Sequence, residues 1–201
     1  MEEFWEKSFK EKKEMWGFIP SKSAVLAKDY FVKKGINNIL IPGIGYGRNA
    51  QVFTDNGINV NGIEISKTAI SLARKHYGTG MVIHHGSVTN MPFDNKLYDG
   101  IFCHALIHLL EAEERVKLIQ DCYNQLTDNG CMIFTAINKK ASNFGKGKII
   151  SKDRFELHGG VKIFYYDEIS IQAEFAAVSP IEVSDVHENQ PMFLIKTQRK
   201  N

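Results

Sequence analysis

Ile39-Leu40-Ile41-Pro42-Gly43-Ile44-Gly45-Tyr46-Gly47-Arg48-Asn49 is an apolar run that gives way to glycines at every second position. Glu64 closes the next apolar run, Val60-Asn61-Gly62-Ile63-Glu64, nineteen positions after Gly45. A buried strand, a glycine turn, a helix and an acid at the end of the following strand describe a nucleotide-type pocket at the mouth of a parallel sheet. The glycine spacing narrows the ligand. A dinucleotide fingerprint begun at Gly43 needs a small residue at position 48, for close packing of helix on strand. That position is Arg48, and the third glycine falls at 47 instead. Gly43 and Gly45 still allow a tight turn and a close approach of backbone to ligand. A ligand without a phosphate, held by backbone groups and through a ribose, fits this turn better than a pyrophosphate.

The segment resembles the first motif of class I S-adenosylmethionine-dependent methyltransferases. That resemblance implies S-adenosyl-L-methionine as cofactor, with Gly43 and Gly45 against it and Glu64 on its ribose, followed by Ile65. A carboxylate accepts from two hydroxyls at once, which suits a ribose diol. His85-Gly86-Ser87-Val88-Thr89-Asn90-Met91-Pro92-Phe93 resembles the family's third-strand loop, with Ser87 in place of the usual Asp. By resemblance Ser87 borders the adenine edge and Val88 lies on the ring face. Tyr98-Asp99-Gly100-Ile101-Phe102-Cys103-His104 and the residues up to His108 resemble the fourth-strand motif. It places His104 near the sulfonium and the methyl acceptor, and Asp99 at the strand start as an anchor. Two roles fit His108: a cap or orienting group for the next helix, or, like His104, a base. An imidazole of ordinary pKa, ~6.5, takes up a proton near neutrality.

Met15-Trp16-Gly17-Phe18-Ile19-Pro20-Ser21 resembles the W-G-x-x-P-S segment that lies over the cofactor in small-molecule methyltransferases. A lid there excludes water and fixes the donor in line with the nucleophile. Trp16 is either that lid, with its ring near the sulfonium, or a core anchor between the N-terminal helix and the sheet. The chain departs from the family at Ile41-Pro42, where many members carry L-D-x-G-x-G. The cofactor's ammonium then falls to backbone carbonyls such as those of Gly43 and His104, or to a lid residue. A dipeptide ending in Pro before the glycines resembles the thiopurine-type branch. Gly47-Arg48-Asn49 resembles the tellurite-resistance type, so these two branches are nearest in motif.

Composition agrees with a folded domain. The 201 residues are 43% hydrophobic and 24% charged, enough for a sizeable core. A formal net charge of +2 is too small a bias to indicate a nucleic-acid or membrane partner. Cys103, Cys122 and Cys131 lack zinc-type spacing and read as reduced, buried thiols of a cytoplasmic protein. No signal-peptide core and no membrane-length apolar run is expected. His84 and His85 are strand neighbours pointing to opposite faces, so no metal site is expected.

The expected fold class is α/β: a Rossmann-like doubly wound sheet, mostly parallel, with an antiparallel C-terminal strand and an N-terminal helical lid. One domain is expected over residues 1–201, with the lid at 1–35, the cofactor core at 36–137 and a tail at 138–201. Within it the spacing predicts helices over 2–16, 23–34, 48–55, 67–77, 112–126 and 166–177. Strands are expected at 38–41, 60–65, 81–85, 99–104, 131–137, 181–186 and 192–197. Residues 138–160 read as a long basic loop. Methyl transfer to a small-molecule acceptor is the leading function. A non-catalytic S-adenosylmethionine-binding protein and a nicotinamide-dependent oxidoreductase are the alternatives. Acceptor identity and oligomeric state stay open.

Overall fold

The computed structural model describes residues 2–200. It opens with two helices, α1 (Glu2–Lys12) and α2 (Lys22–Lys34). Ser21 caps α2, its Oγ accepting from Ala24 N at 3.2 Å, and Gly35 ends it in the left-handed region at φ 71°. The core alternates: β1 (Asn38–Pro42), α3 (Gln51–Thr54), β2 (Asn59–Glu64), α4 (Lys67–Tyr77), β3 (Val82–His85), β4 (Tyr98–His104), α5 (Ala112–Asn124) and β5 (Leu126–Ile137). The tail contains β6 (Lys148–Ser151), β7 (Arg154–Glu156), β8 (Lys162–Phe164), α6 (Glu168–Glu174), β9 (Ile181–His187) and β10 (Pro191–Gln198).

The main sheet has the order β3-β2-β1-β4-β5-β10-β9, parallel up to β5 and antiparallel at β10 and β9. This is the Rossmann-like fold with an antiparallel C-terminal edge. Along β4 the side chains alternate faces. Phe102 joins Ala24, Ala27, Phe31 and Phe53 under α2 and α3, while Ile101 and Cys103 join Leu118, Ile119, Cys122 and Phe175 under α5 and α6. The chain leaves β1 toward β2 on one side and reaches β4 on the other, so the crevice where ligands bind in such sheets opens above β1 and β4.

The first helix, expected over 2–16, ends at Lys12, and β5, expected from Cys131, begins at Leu126. Three further expectations need correction. The helix read from Arg48 begins only at Gln51, because Gly43, Gly45 and Gly47 all hold positive φ (69°, 61° and 86°) and keep the chain turning. The helix read over 166–177 is regular only from Glu168 to Glu174, where Asp167 and Ser170 form a reciprocal capping box. The basic loop is not a plain loop. Residues 148–164 fold into a second, three-stranded antiparallel sheet, β6-β7-β8. Arg154 anchors it: one guanidinium nitrogen donates to Leu110 O and another to Glu111 Oε1 at 2.8 Å. Phe155 and Ile163 pack with Ile137, Tyr165 and Met192, which seats this small sheet beside the crevice.

Candidate functional site

The glycine turn and Glu64 form the floor of the crevice. Glu64 is buried at the end of β2, 5% exposed, with Oε2 accepting from Gly45 N and Oε1 from Ser66 N, each at 2.8 Å. Each carboxylate oxygen therefore keeps a lone pair for a ligand. Burial pushes this carboxyl above the usual range, against the amides of Ser66 and Gly45, which favour the ionised form. A Cβ on Gly43 would lie 3.1 Å from Leu106 Cδ2, and one on Gly47 2.9 Å from Tyr77 Cδ2. The turn is thus bare backbone because side chains from neighbouring elements occupy the adjacent space.

On the β2–β3 side, Ile65, Ser87 and Val88 all line the same cavity as Glu64. Val88 is buried. The Ser87 hydroxyl accepts from Thr89 N at 3.2 Å and pairs with Thr89 Oγ1 at 2.8 Å, capping the short turn that follows. The sequence reading left that hydroxyl free for an adenine edge, whereas here it is partly committed to its own loop. His84 turns to Asp94 at 3.3 Å and His85 to Ile65 O at 3.1 Å, on separate sides of β3.

At the end of β4 the sequence reading meets a denser network. His104 Nδ1 lies 2.9 Å from Thr135 Oγ1 and 3.0 Å from Ser23 Oγ. Thr135 Oγ1 also accepts from Ala105 N, which leaves its own hydrogen free to be donated to Nδ1. In that arrangement the ring proton sits on Nε2. Burial depresses the His104 pKa to about 4, partly opposed by the Glu188 carboxylate. His108 is also buried; its Nδ1 accepts from Ile137 N at 3.3 Å, and burial depresses its pKa to about 3. Neither ring is poised as a base near neutral pH. Nor does His108 cap α5, a role taken by Glu111 and Glu114. Asp99 does sit at the start of β4, accepting from Asn37 N at 3.4 Å.

These histidines make stability depend on pH. An unfolded imidazole titrates near ~6.5, so below that pH the unfolded chain binds protons that the native state refuses. The stability they permit is complete above pH ~6.5 and falls as pH drops toward their folded values of about 4 and about 3. The expected loss between pH 7.5 and 5.5 is about 1 kcal/mol per histidine, read from urea midpoints. His108→Gln keeps an acceptor for Ile137 N and should halve that loss. An equal loss in the variant would refute the assignment.

The lid is held by the glycine motif itself. Tyr46 Oη donates to Gly17 O at 2.6 Å and accepts from Trp16 N at 3.2 Å. Arg48 donates to Trp16 O and Ile19 O at 3.1 and 3.2 Å, and Asn49 Oδ1 accepts from Ser21 N at 2.9 Å. The Trp16 ring stacks on Tyr46, centroids 6.2 Å apart, and meets Phe9 and Trp5. Trp16 is 42% exposed, so the buried anchor is Phe9, at 3%. α1 is pinned by Glu6, whose carboxylate accepts from Ser66 Oγ, Thr68 Oγ1 and Thr68 N at 2.7–3.1 Å, just past Glu64.

Trp16, Gly43, Gly45, Glu64, Ile65, Ser87, Val88, His104 and His108 all border one cavity of about 500 Å³. That size falls among small-ligand sites. The residues around it fit a nucleoside: a buried diol-type acceptor, a bare turn and an apolar ledge at Val88. Sequence reasoning missed Ser23, Thr135, Glu188 and Gln190, which reach the site from α2, β5 and the β9–β10 turn. Only the short polar Ser21-Lys22-Ser23 run at the start of α2 hinted at one of them.

A family model described as a methyltransferase domain matches residues 40–134, the stretch that contains the glycine turn, Glu64 and both following motifs. No curated protein matches the sequence. Among solved structures, the fold is similar to the 1,6-didemethyltoxoflavin-N1-methyltransferase of Burkholderia thailandensis, solved with S-adenosylhomocysteine. The TM-score is 0.76 and identity 13%, over 100% of this chain and 87% of that one. It is also similar to an S-adenosylmethionine-dependent methyltransferase of Clostridium acetobutylicum (TM-score 0.71, 13% identity, 89% and 91% covered). A third is the amino pentose methyltransferase CalS10 of Micromonospora echinaspora with S-adenosylmethionine bound (TM-score 0.64, 15% identity, 87% and 90% covered). The family match falls on the cofactor core expected from the sequence, and the solved structures share the fold over nearly the whole chain. Among the described residues no helix is long and apolar enough to cross a membrane.

Proposed function

We propose that the protein transfers a methyl group from S-adenosylmethionine to a small-molecule acceptor. The carrying observation is the buried Glu64 carboxylate, with lone pairs to spare, opposite the bare glycine turn. In this reading Glu64 accepts from the ribose hydroxyls, and Ile65, Ser87 and Val88 border the adenine. Gly43, Gly45 and His104 contribute backbone groups to the methionine end, and Trp16 covers the site. Ile41 is buried and apolar, so backbone carbonyls take the place of the missing acid. The cofactor's sulfonium supplies a methyl group already activated for displacement. The chain's own work is to align the acceptor and to exclude water, through the lid clasped by Tyr46, Arg48 and Asn49. Neutral His104 and His108 serve as hydrogen-bonding walls.

Pro42 before the glycines and Gly47-Arg48-Asn49 after them support a place near the thiopurine-type and tellurite-resistance-type small-molecule methyltransferases. Three free, buried thiols suit a reducing cytoplasm. Titration with S-adenosylmethionine, S-adenosylhomocysteine and NAD tests the reading. The first two should bind and the third should not; NAD binding alone would overturn it. Methyl transfer to any acceptor then separates an enzyme from a cofactor-binding protein.

A further inference from the structure

The cavity has two halves of different character. Above β1, β2 and β3 lie the glycine turn, Glu64 and Val88. Beyond His104, toward β8 and β10, lies a chamber walled by Leu109, Val161, Ile163 and Met192. Its ionised group is Glu188, on the turn between β9 and β10. Oε1 of Glu188 accepts from Ser23 N at 2.7 Å and Oε2 from Lys22 N at 3.1 Å, in the first turn of α2. Burial alone would raise this carboxyl. The bonds from Ser23 and Lys22 and the nearby His104 outweigh it and hold the group below its usual range, so it is a carboxylate at neutral pH. Each oxygen keeps a second lone pair. No lysine lines the cavity among the described residues, and its arginine, Arg48, is engaged by two lid carbonyls. The chamber thus offers an apolar wall and one hydrogen-bond-accepting anion, with no cation to neutralise a negative ligand.

We propose that this chamber is the acceptor subsite and takes a nitrogen compound, an amine or amino-substituted heterocycle, whose N–H donates to Glu188 while its apolar body lies on Val161, Ile163 and Met192. The proposal rests on the methyltransferase reading above. It also sets a limit: carboxylates and oxyanions are turned away by Glu188. In the transfer, the lone pair of the uncharged nitrogen forms the new C–N bond. The C–S bond breaks and its electron pair stays on sulfur. Positive charge moves from sulfur to the nitrogen, whose N–H faces Glu188, and the surplus proton then passes to water. A carboxylate beside a nitrogen that gains charge stabilises the transition state more than the ground state.

Calorimetry on the full chain saturated with S-adenosylhomocysteine tests this without turnover. The probes are phenethylamine, aminopyrimidine, phenylacetate and tellurite. Phenethylamine should bind at least about tenfold more tightly than phenylacetate, aminopyrimidine should bind, and tellurite should not. Glu188→Gln keeps an oxygen for one of the two α2 amides, removes the negative charge, and should erase the preference for the amine. Equal or tighter binding of phenylacetate or tellurite, no binding of either nitrogen probe, or a preference that survives Glu188→Gln would each overturn the proposal. Failure of S-adenosylhomocysteine itself to bind appears in the first titration and overturns the underlying reading, and this one with it.

Discussion

Glu64→Ala should weaken S-adenosylmethionine binding about 100-fold, an effect of about 2.7 kcal/mol. A hydrogen bond to a charged acceptor contributes about 1.5–3 kcal/mol, and a buried carboxylate loses nothing to competing water. The complication is that Glu64 has two structural duties. Its oxygens hold Gly45 N and Ser66 N, and alanine leaves both amides without that partner. Loss of binding could then follow from a loosened glycine turn rather than from a lost ribose contact. A double-mutant comparison separates the two. An S-adenosylmethionine analogue lacking the ribose hydroxyls should bind the parent protein poorly, and bind Glu64→Ala no worse than the natural cofactor does. If the variant still discriminates between the two ligands as the parent does, the ribose assignment fails. Unchanged affinity for S-adenosylmethionine refutes it outright.

This site could be read in part because its constraints are local. A left-handed turn needs glycine, and Gly43, Gly45 and Gly47 mark it within five consecutive residues. Glu64 was placed by spacing alone, since a strand–turn–helix–strand unit has nearly fixed length. The strand pair at the C-terminus was legible from its alternation and lies antiparallel to β5. Residues 138–160 were not, because glycines and lysines hide two short strands held by one buried arginine. Nothing near Arg154 in sequence announces that its partners are Leu110 and Glu111.

The same reason hid Glu188. It sits in a polar turn, His187-Glu188-Asn189-Gln190, and looks like solvated surface in the sequence. Its partners in α2 lie 165 and 166 residues away. Arg48 shows a subtler limit. Its size argued against a dinucleotide-type helix start, but its sequence context assigned it no positive role. In the fold it is a clasp, and the residues Tyr46, Arg48 and Asn49 link the glycine motif to the lid. A glycine turn and a lid joined by five hydrogen bonds cannot change independently, so mutations at Arg48 should alter cofactor entry as well as lid order.

Gly43→Ala should be among the most damaging single-methyl changes in the chain, and Gly57→Ala is its control. Both glycines sit in the left-handed region, at φ 69° and 76°. A Cβ there costs about 1–2 kcal/mol whatever surrounds it. Around Gly57 a new Cβ meets nothing within 4 Å, so Gly57→Ala measures that backbone cost alone. Around Gly43 it meets Leu106 Cδ2 and Cδ1 at 3.1 and 3.2 Å, and Leu106 borders the cavity. Crowding of this kind adds about 1–3 kcal/mol. Thermal midpoints should therefore fall by roughly 3–6 °C in Gly57→Ala and by about twice as much in Gly43→Ala. Cofactor affinity should separate the two further. Gly57 lies outside the cavity lining, so its variant should bind S-adenosylmethionine as the parent does. Gly43→Ala should bind it at least about tenfold more weakly, because Leu106 and the turn must shift to admit the methyl group. Equal losses of stability in both variants, or unimpaired binding by Gly43→Ala, would mean that the turn is shaped by the fold alone and not by the ligand it faces.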